Sequence, residues 1–150
     1  MRIRYFLLCV GIGAAIGTTM ILTRTGPGLQ PRPAHATAET RNQQRTRMLK
    51  DLASALTRYR YDHGQLPVQF AASRTQICSG SGIACQQFHL VDVSFLVTDG
   101  DYLPTLPLDP SGGDGHGGSG FFIERQANGN FKLTAPLAEL DQTIEVSFAL

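Results

Sequence analysis

Apolar side chains recur from residue 48 to residue 63 at the spacing of one helix face. On a 100° wheel Met48, Leu49, Leu52, Ala53, Ala55, Leu56, Tyr59 and His63 fall within roughly 160°, while Arg47, Lys50, Asp51, Ser54, Thr57, Arg58 and Tyr61 face away. The pattern predicts an amphipathic helix that begins near residues 38–41 and ends at Gly64, a residue suited to the left-handed helix stop, with Pro67 preventing its resumption. Before Met48 the sequence is almost wholly polar, so the first turns are expected to be solvated and to fray. Residues 68–87 lack periodicity and read as a surface loop. Residues 88–97 are apolar without a clear period and suit a short helix or a strand. Prolines at 104, 107 and 110 hold the next run extended, and residues 111–120 form a glycine loop. Residues 121–125 and 130–135 alternate about Asn128-Gly129, a hairpin signal. Residues 141–148 alternate again, with Ile144, Val146 and Phe148 opposite Glu145 and Ser147. Three strands are thus available to one helix, and the expected class is α+β: a long amphipathic helix packed on a small antiparallel sheet.

The amino-terminal residues follow another pattern. Residues 5–22 carry no charge, and as a helix would span roughly 27 Å, close to the ~30 Å of a bilayer core. They are read as a single membrane anchor behind a short basic terminus, Arg2 and Arg4. Gly13 and Gly17 have the small-xxx-small spacing that lets membrane helices approach, and Cys9 is a small apolar side chain within the run. Residues 23–37 contain Pro27, Pro31 and Pro33 and read as an extended Pro/Gly-rich linker, which leaves residues 38–150 as the globular domain. Ala34-His35-Ala36 also has the form that signal peptidase accepts, so secretion after cleavage following Ala36 is the alternative to a retained anchor.

Charge narrows the partners. The formal net charge of the 150 residues is +1 and there is no Trp, too little basic excess and too few exposed aromatics for a nucleic-acid reader. No nucleophile elbow, His-Glu-x-x-His or phosphate loop is present, and His35, His63, His89 and His116 are dispersed; the chain is read as non-enzymatic, with no catalytic residues. Cys78 and Cys85 flank a short polar loop. With His89 they would make three ligands of a zinc site that lacks a fourth, so a disulfide on the oxidising side of a membrane is the preferred reading. Acidic residues near the glycine loop raise calcium as a cofactor, with Asp109 and Asp114 as the ligands it would use. The loop is nevertheless read as a flexible turn, in which replacing both carboxylates by amides leaves thermal stability nearly unchanged.

Two runs carry a resemblance: Tyr59-Arg60-Tyr61-Asp62-His63-Gly64-Gln65-Leu66-Pro67, closing the helix, and Tyr102-Leu103-Pro104-Thr105-Leu106-Pro107-Leu108-Asp109-Pro110 beyond it. Over residues 41–137 the chain resembles the globular half of type IV pilin-like proteins, closest to the major pseudopilins of type II secretion. The resemblance implies a pilin-like fold, a helical form for residues 88–97, and a structural or accessory subunit of a type IV pilus or type II secretion-like system. Its partners would be the membrane and other pilin-like subunits or secretion-machine proteins, and its domain would lie in the periplasm or outside the cell. A solitary surface or periplasmic binding module on the same fold is the alternative. Some major pseudopilins place calcium in a carboxy-terminal loop, but residues 139–150 lack their Asp-rich ending. The chain also departs from the family at its start. No Gly-Phe junction precedes the apolar run, and no acidic residue occurs before Glu39. The expectation is therefore that prepilin peptidase does not process it and that it does not polymerise alone.

Overall fold

The structure, a computed structural model, describes residues 33–68, 70–80, 83–113 and 115–150. The expected membrane segment at 5–22, with Gly13 and Gly17, most of the linker, and Asp114 lie outside them. No helix among the described residues is long and apolar enough to cross a membrane.

Helix α1 runs over Pro33–His63, 31 residues. It begins ahead of the start that the pattern predicts, inside the stretch read as linker. Proline is tolerated in a first helical turn, where its missing N–H has no helical acceptor to lose, and Ala34, Ala36 and Ala38 favour continuation. The carboxy-terminal stop is as expected: Gly64 has φ 77° and its N–H bonds Arg60 O at 2.8 Å. The stripe that α1 buries advances by alternate steps of three and four: Ala38, Asn42, Arg45, Leu49, Leu52, Leu56. Burying each of the three leucines contributes about 1.5–3 kcal/mol. Met48 and Tyr59 pack against the same core from its edge, and Tyr61 is 89% exposed.

The strands β1 (Thr75–Cys78), β2 (Gly118–Arg125), β3 (Phe131–Thr134) and β4 (Glu145–Phe148) form one sheet in that order, antiparallel throughout. The class is therefore α+β, a helix on a small antiparallel sheet, with one strand more than the pattern yields. Strand β1 lies within the presumed surface loop. It is only 4 residues long and its register shifts between Gln76 and Cys78, so no alternation survives for a reader to find. Strand β2 starts three residues early, at Gly118-Ser119-Gly120, a composition depleted in strands. The β2–β3 hairpin turns at Asn128-Gly129 as expected, with Gly129 at φ 86° and Gln126 N–H bonded to Asn130 O at 2.7 Å.

Inward residues Phe121, Ile123, Leu133 and Ile144 meet Leu49, Leu52 and Leu56, with Val146 and Phe148 at the margin. Between β1 and β2 lie a short helix α2 (Ile83–Gln87) and 3-10 turns at Ser94–Leu96 and Thr98–Gly100. Val93, Leu96 and Leu103 insert from this connection. The 94–96 segment is thus helical, but in a single tight turn, while Val91 pairs with Ile77 as an isolated parallel bridge.

Candidate functional site

Three constructions hold residues that the sequence singles out. The first is the covalent one. Cys78, ending β1, and Cys85, in α2, form a disulfide with their Cα atoms 5.6 Å apart, and both are buried. Their sulfurs are committed to each other, so the zinc reading with His89 falls away. Closing so short a loop removes chain entropy from the unfolded state, which amounts to about 2.5 kcal/mol. Cys78→Ser is expected to lower the urea-unfolding free energy by that amount. A variant as stable as the parent, or alkylation of both cysteines in the folded unreduced protein, would count against a stabilising bridge.

The second is a polar network around the amino-terminal half of α1, where solvated turns were expected. Arg45, with its side chain 0% exposed, donates Nε–H to Asp109 Oδ2 at 2.8 Å and Nη2–H to Asp109 Oδ1 at 3.0 Å, and Asp109 is equally buried. Nη2 also reaches Ser111 Oγ at 2.7 Å, and Nη1 reaches Asn42 Oδ1 and Glu139 Oε2 at 2.8 and 3.0 Å. Asn42 donates to Glu139 O at 2.8 Å and to Gln142 Oε1 at 3.0 Å, and its Oδ1 accepts the Glu139 N–H. Arg41 grips Glu139 from the other side through Nε and Nη2.

Residues of the glycine loop and of the β3–β4 connection are thereby fastened to one helix face. Asp109 is therefore no ligand waiting in a flexible turn. Arg45 takes both its oxygens, one of which also accepts the Ser111 N–H at 2.8 Å, and this corrects the expectation that its charge is dispensable. Among the described residues no three His, Cys, Asp or Glu side chains gather in a way that could hold a metal. Apolar periodicity does not reveal this network, because Asn42 and Arg45 are polar. Asn42 and Arg45 continue the phase of Leu49, Leu52 and Leu56, and that phase was the available signal.

The hydrogen bond from Arg41, followed by that from Arg45, holds the Glu139 carboxyl at about 2, below its ordinary 4.5. Both guanidinium values are raised, Arg41 chiefly by its bond to Glu139 and Arg45 chiefly by its bond to Asp109. A carboxyl depressed in the folded state binds fewer protons there than in the unfolded chain. Its contribution is complete above about pH 4.5 and is lost as pH falls towards 2. Glu139→Gln should therefore be less stable than the parent at pH 6, with the difference shrinking as pH falls from 4.5 to 2.5. Urea titrations across that range check this, and a constant difference would show that the ion pairs carry no linkage.

The third construction joins the two runs that carry the family resemblance. Tyr59 stacks on His63 at 4.2 Å between ring centroids, meets Phe95 edge-on at 4.6 Å and lies 5.1 Å from Tyr102. The Tyr102 hydroxyl donates to Asp62 Oδ2 at 2.9 Å and sits 3.1 Å from His63 Nε2. Arg58 lies over the Tyr102 ring at 5.4 Å and donates to Asp101 O at 3.1 Å. Desolvation, then the bond to Asp62, pushes the Tyr102 phenol above its usual range. His63, on the apolar arc of the helical wheel, is exposed, with one face on Tyr59. The end of α1 and the 102–110 run thus stabilise each other. No family model, curated protein or solved structure matches the chain.

Proposed function

We propose that the chain is a non-enzymatic, membrane-anchored subunit or accessory of a type IV pilus or type II secretion-like assembly, with its pilin-like domain on the extracytoplasmic side. The observation that carries this reading is the contact of the two resemblance-bearing runs, Tyr59 and His63 against Tyr102, at the end of a 31-residue helix that packs on an antiparallel sheet. The buried disulfide supports an oxidising compartment, and the uncharged run at residues 5–22 supplies the anchor.

The test is expression of the full chain in a bacterium that carries such a machine. It should fractionate with the membrane, expose its domain to protease added outside the inner membrane, and crosslink to pilin-like subunits. A monomer released into the medium that crosslinks to none of them would overturn the reading. Filaments built chiefly of this chain, or an amino terminus newly made by prepilin peptidase within residues 1–17, would overturn its accessory part.

A further inference from the structure

We propose that the groove at the carboxy-terminal end of α1, with the open edge of β4, binds an extended acidic segment of a partner protein. The groove, of about 570 Å³, is lined by Leu66, Phe70 and Phe131, with Arg60 from the last turns of α1, Arg125 from the end of β2, and Leu150. Phe70 and Phe131 meet edge-on at 5.4 Å and give it an apolar floor. Both arginines are exposed, and among the described residues no ion pair engages either guanidinium. The acidic neighbours in sequence are otherwise occupied, Asp62 by the Tyr102 hydroxyl and Glu124 by Lys132. Two guanidiniums from different elements over an apolar floor select carboxylates, which arginine takes in bidentate geometry.

The edge supplies the second half of the site. Ala135 N–H bonds Ile144 O, and the register runs unbroken through Leu133↔Val146 to Phe131↔Phe148. Those pairs are therefore the hydrogen-bonded ones, and the backbone N–H and C=O of Glu145 and Ser147 point away from β3. The opposite edge of the sheet is covered, since Cys78 N–H bonds Val91 O and Val91 N–H bonds Gln76 O. Strand β4 has no proline, lysine or bulge; its 4-residue length and the exposed Glu145, whose carboxylate lies 3.9 Å from Lys132 Nζ, are the edge's own guards. A strand added there would lie next to Ser147 and continue past Phe148 towards the groove. The charge of the groove makes that strand acidic. The inference stands whether or not the chain joins a pilin-like assembly.

The experiment uses the full chain in detergent micelles and a fluorescein-labelled nine-residue peptide that alternates valine with aspartate and glutamate. Its counterpart carries asparagine and glutamine instead. Anisotropy should show the acidic peptide binding at least about tenfold tighter, with added salt weakening it. The Arg60→Gln/Arg125→Gln variant should lose that advantage while melting at the parental temperature. Amide exchange at Glu145 and Ser147 should slow when the acidic peptide is bound. Equal or absent binding of the two peptides, an unaffected double variant, or unchanged exchange at those amides would overturn the proposal. A dimer by light scattering in which Glu145 and Ser147 are already protected would also overturn it, by assigning the edge to a second copy.

Discussion

Asp109→Asn is expected to destabilise the domain by about 3 kcal/mol, and Arg45→Met by at least as much. Removing one partner of a buried pair leaves the other charge in low dielectric, a penalty of about 3–5 kcal/mol. Both side chains are fully buried. Arg45 keeps Glu139 at 3.0 Å when Asp109 is neutralised, and an asparagine oxygen can still accept, which sets that variant at the lower end. Arg45→Met strands a carboxylate that, among the described residues, keeps the Ser111 N–H as a donor. The double variant Arg45→Met/Asp109→Leu should lose clearly less than the sum of the single losses, because apolar groups of similar volume can replace a buried ion pair with little change. Urea unfolding of the parent and the three variants at pH 7 measures the coupling. Additive losses would mean that the two charges do not depend on each other.

Gly120→Ala is expected to cost about 2–5 kcal/mol, for two reasons that a second glycine separates. Gly120 has φ +82°, where an L-residue pays about 1–2 kcal/mol, and an added Cβ would stand 2.7 Å from Asp109 Cβ. Asp109 cannot yield, since Arg45 holds both its oxygens and its own N–H bonds Ser119 O at 2.8 Å. Overpacking of that kind adds about 1–3 kcal/mol. Gly129 has φ +86° with nothing within 4 Å of the same added atom, so Gly129→Ala should show the backbone part alone. Thermal or chemical melts of the two variants decide the matter, and equal losses would remove crowding from the account.

These two predictions fall where the chain was hardest to read. The end of α1, the β2–β3 hairpin and the alternation of β4 were legible because each rests on a local rule: a left-handed glycine, a turn dipeptide, a period of two. The disulfide was legible from cysteine spacing within a polar loop. Strand β1 was not, because a 4-residue strand with a register shift owes its existence to the neighbour it pairs with. The polar network was hidden for a related reason. Arg45 and Asp109 are 64 positions apart and other partners up to 100 apart, and no window along the sequence contains both members of such a pair. Each residue alone has the character of a surface group, and what makes it part of the core is a tertiary partner. A carboxylate among glycines, such as Asp109, looks available until its cation is found.

The long separation of those partners has a consequence in time. A chain made from its amino terminus presents Asn42, Arg41 and Arg45 long before Glu139 and Gln142 exist to receive them. The leucine stretch of α1 can collapse on whatever apolar strand is at hand, and the β2–β3 hairpin can close by itself. The amino-terminal half of the helix has to wait for almost the whole domain to be synthesised, and contacts of such range close slowly. Until then a guanidinium destined for the interior remains in water, which keeps that half of the helix from packing on a wrong partner. The last loop to arrive therefore acts as the clasp for the amino-terminal half of α1.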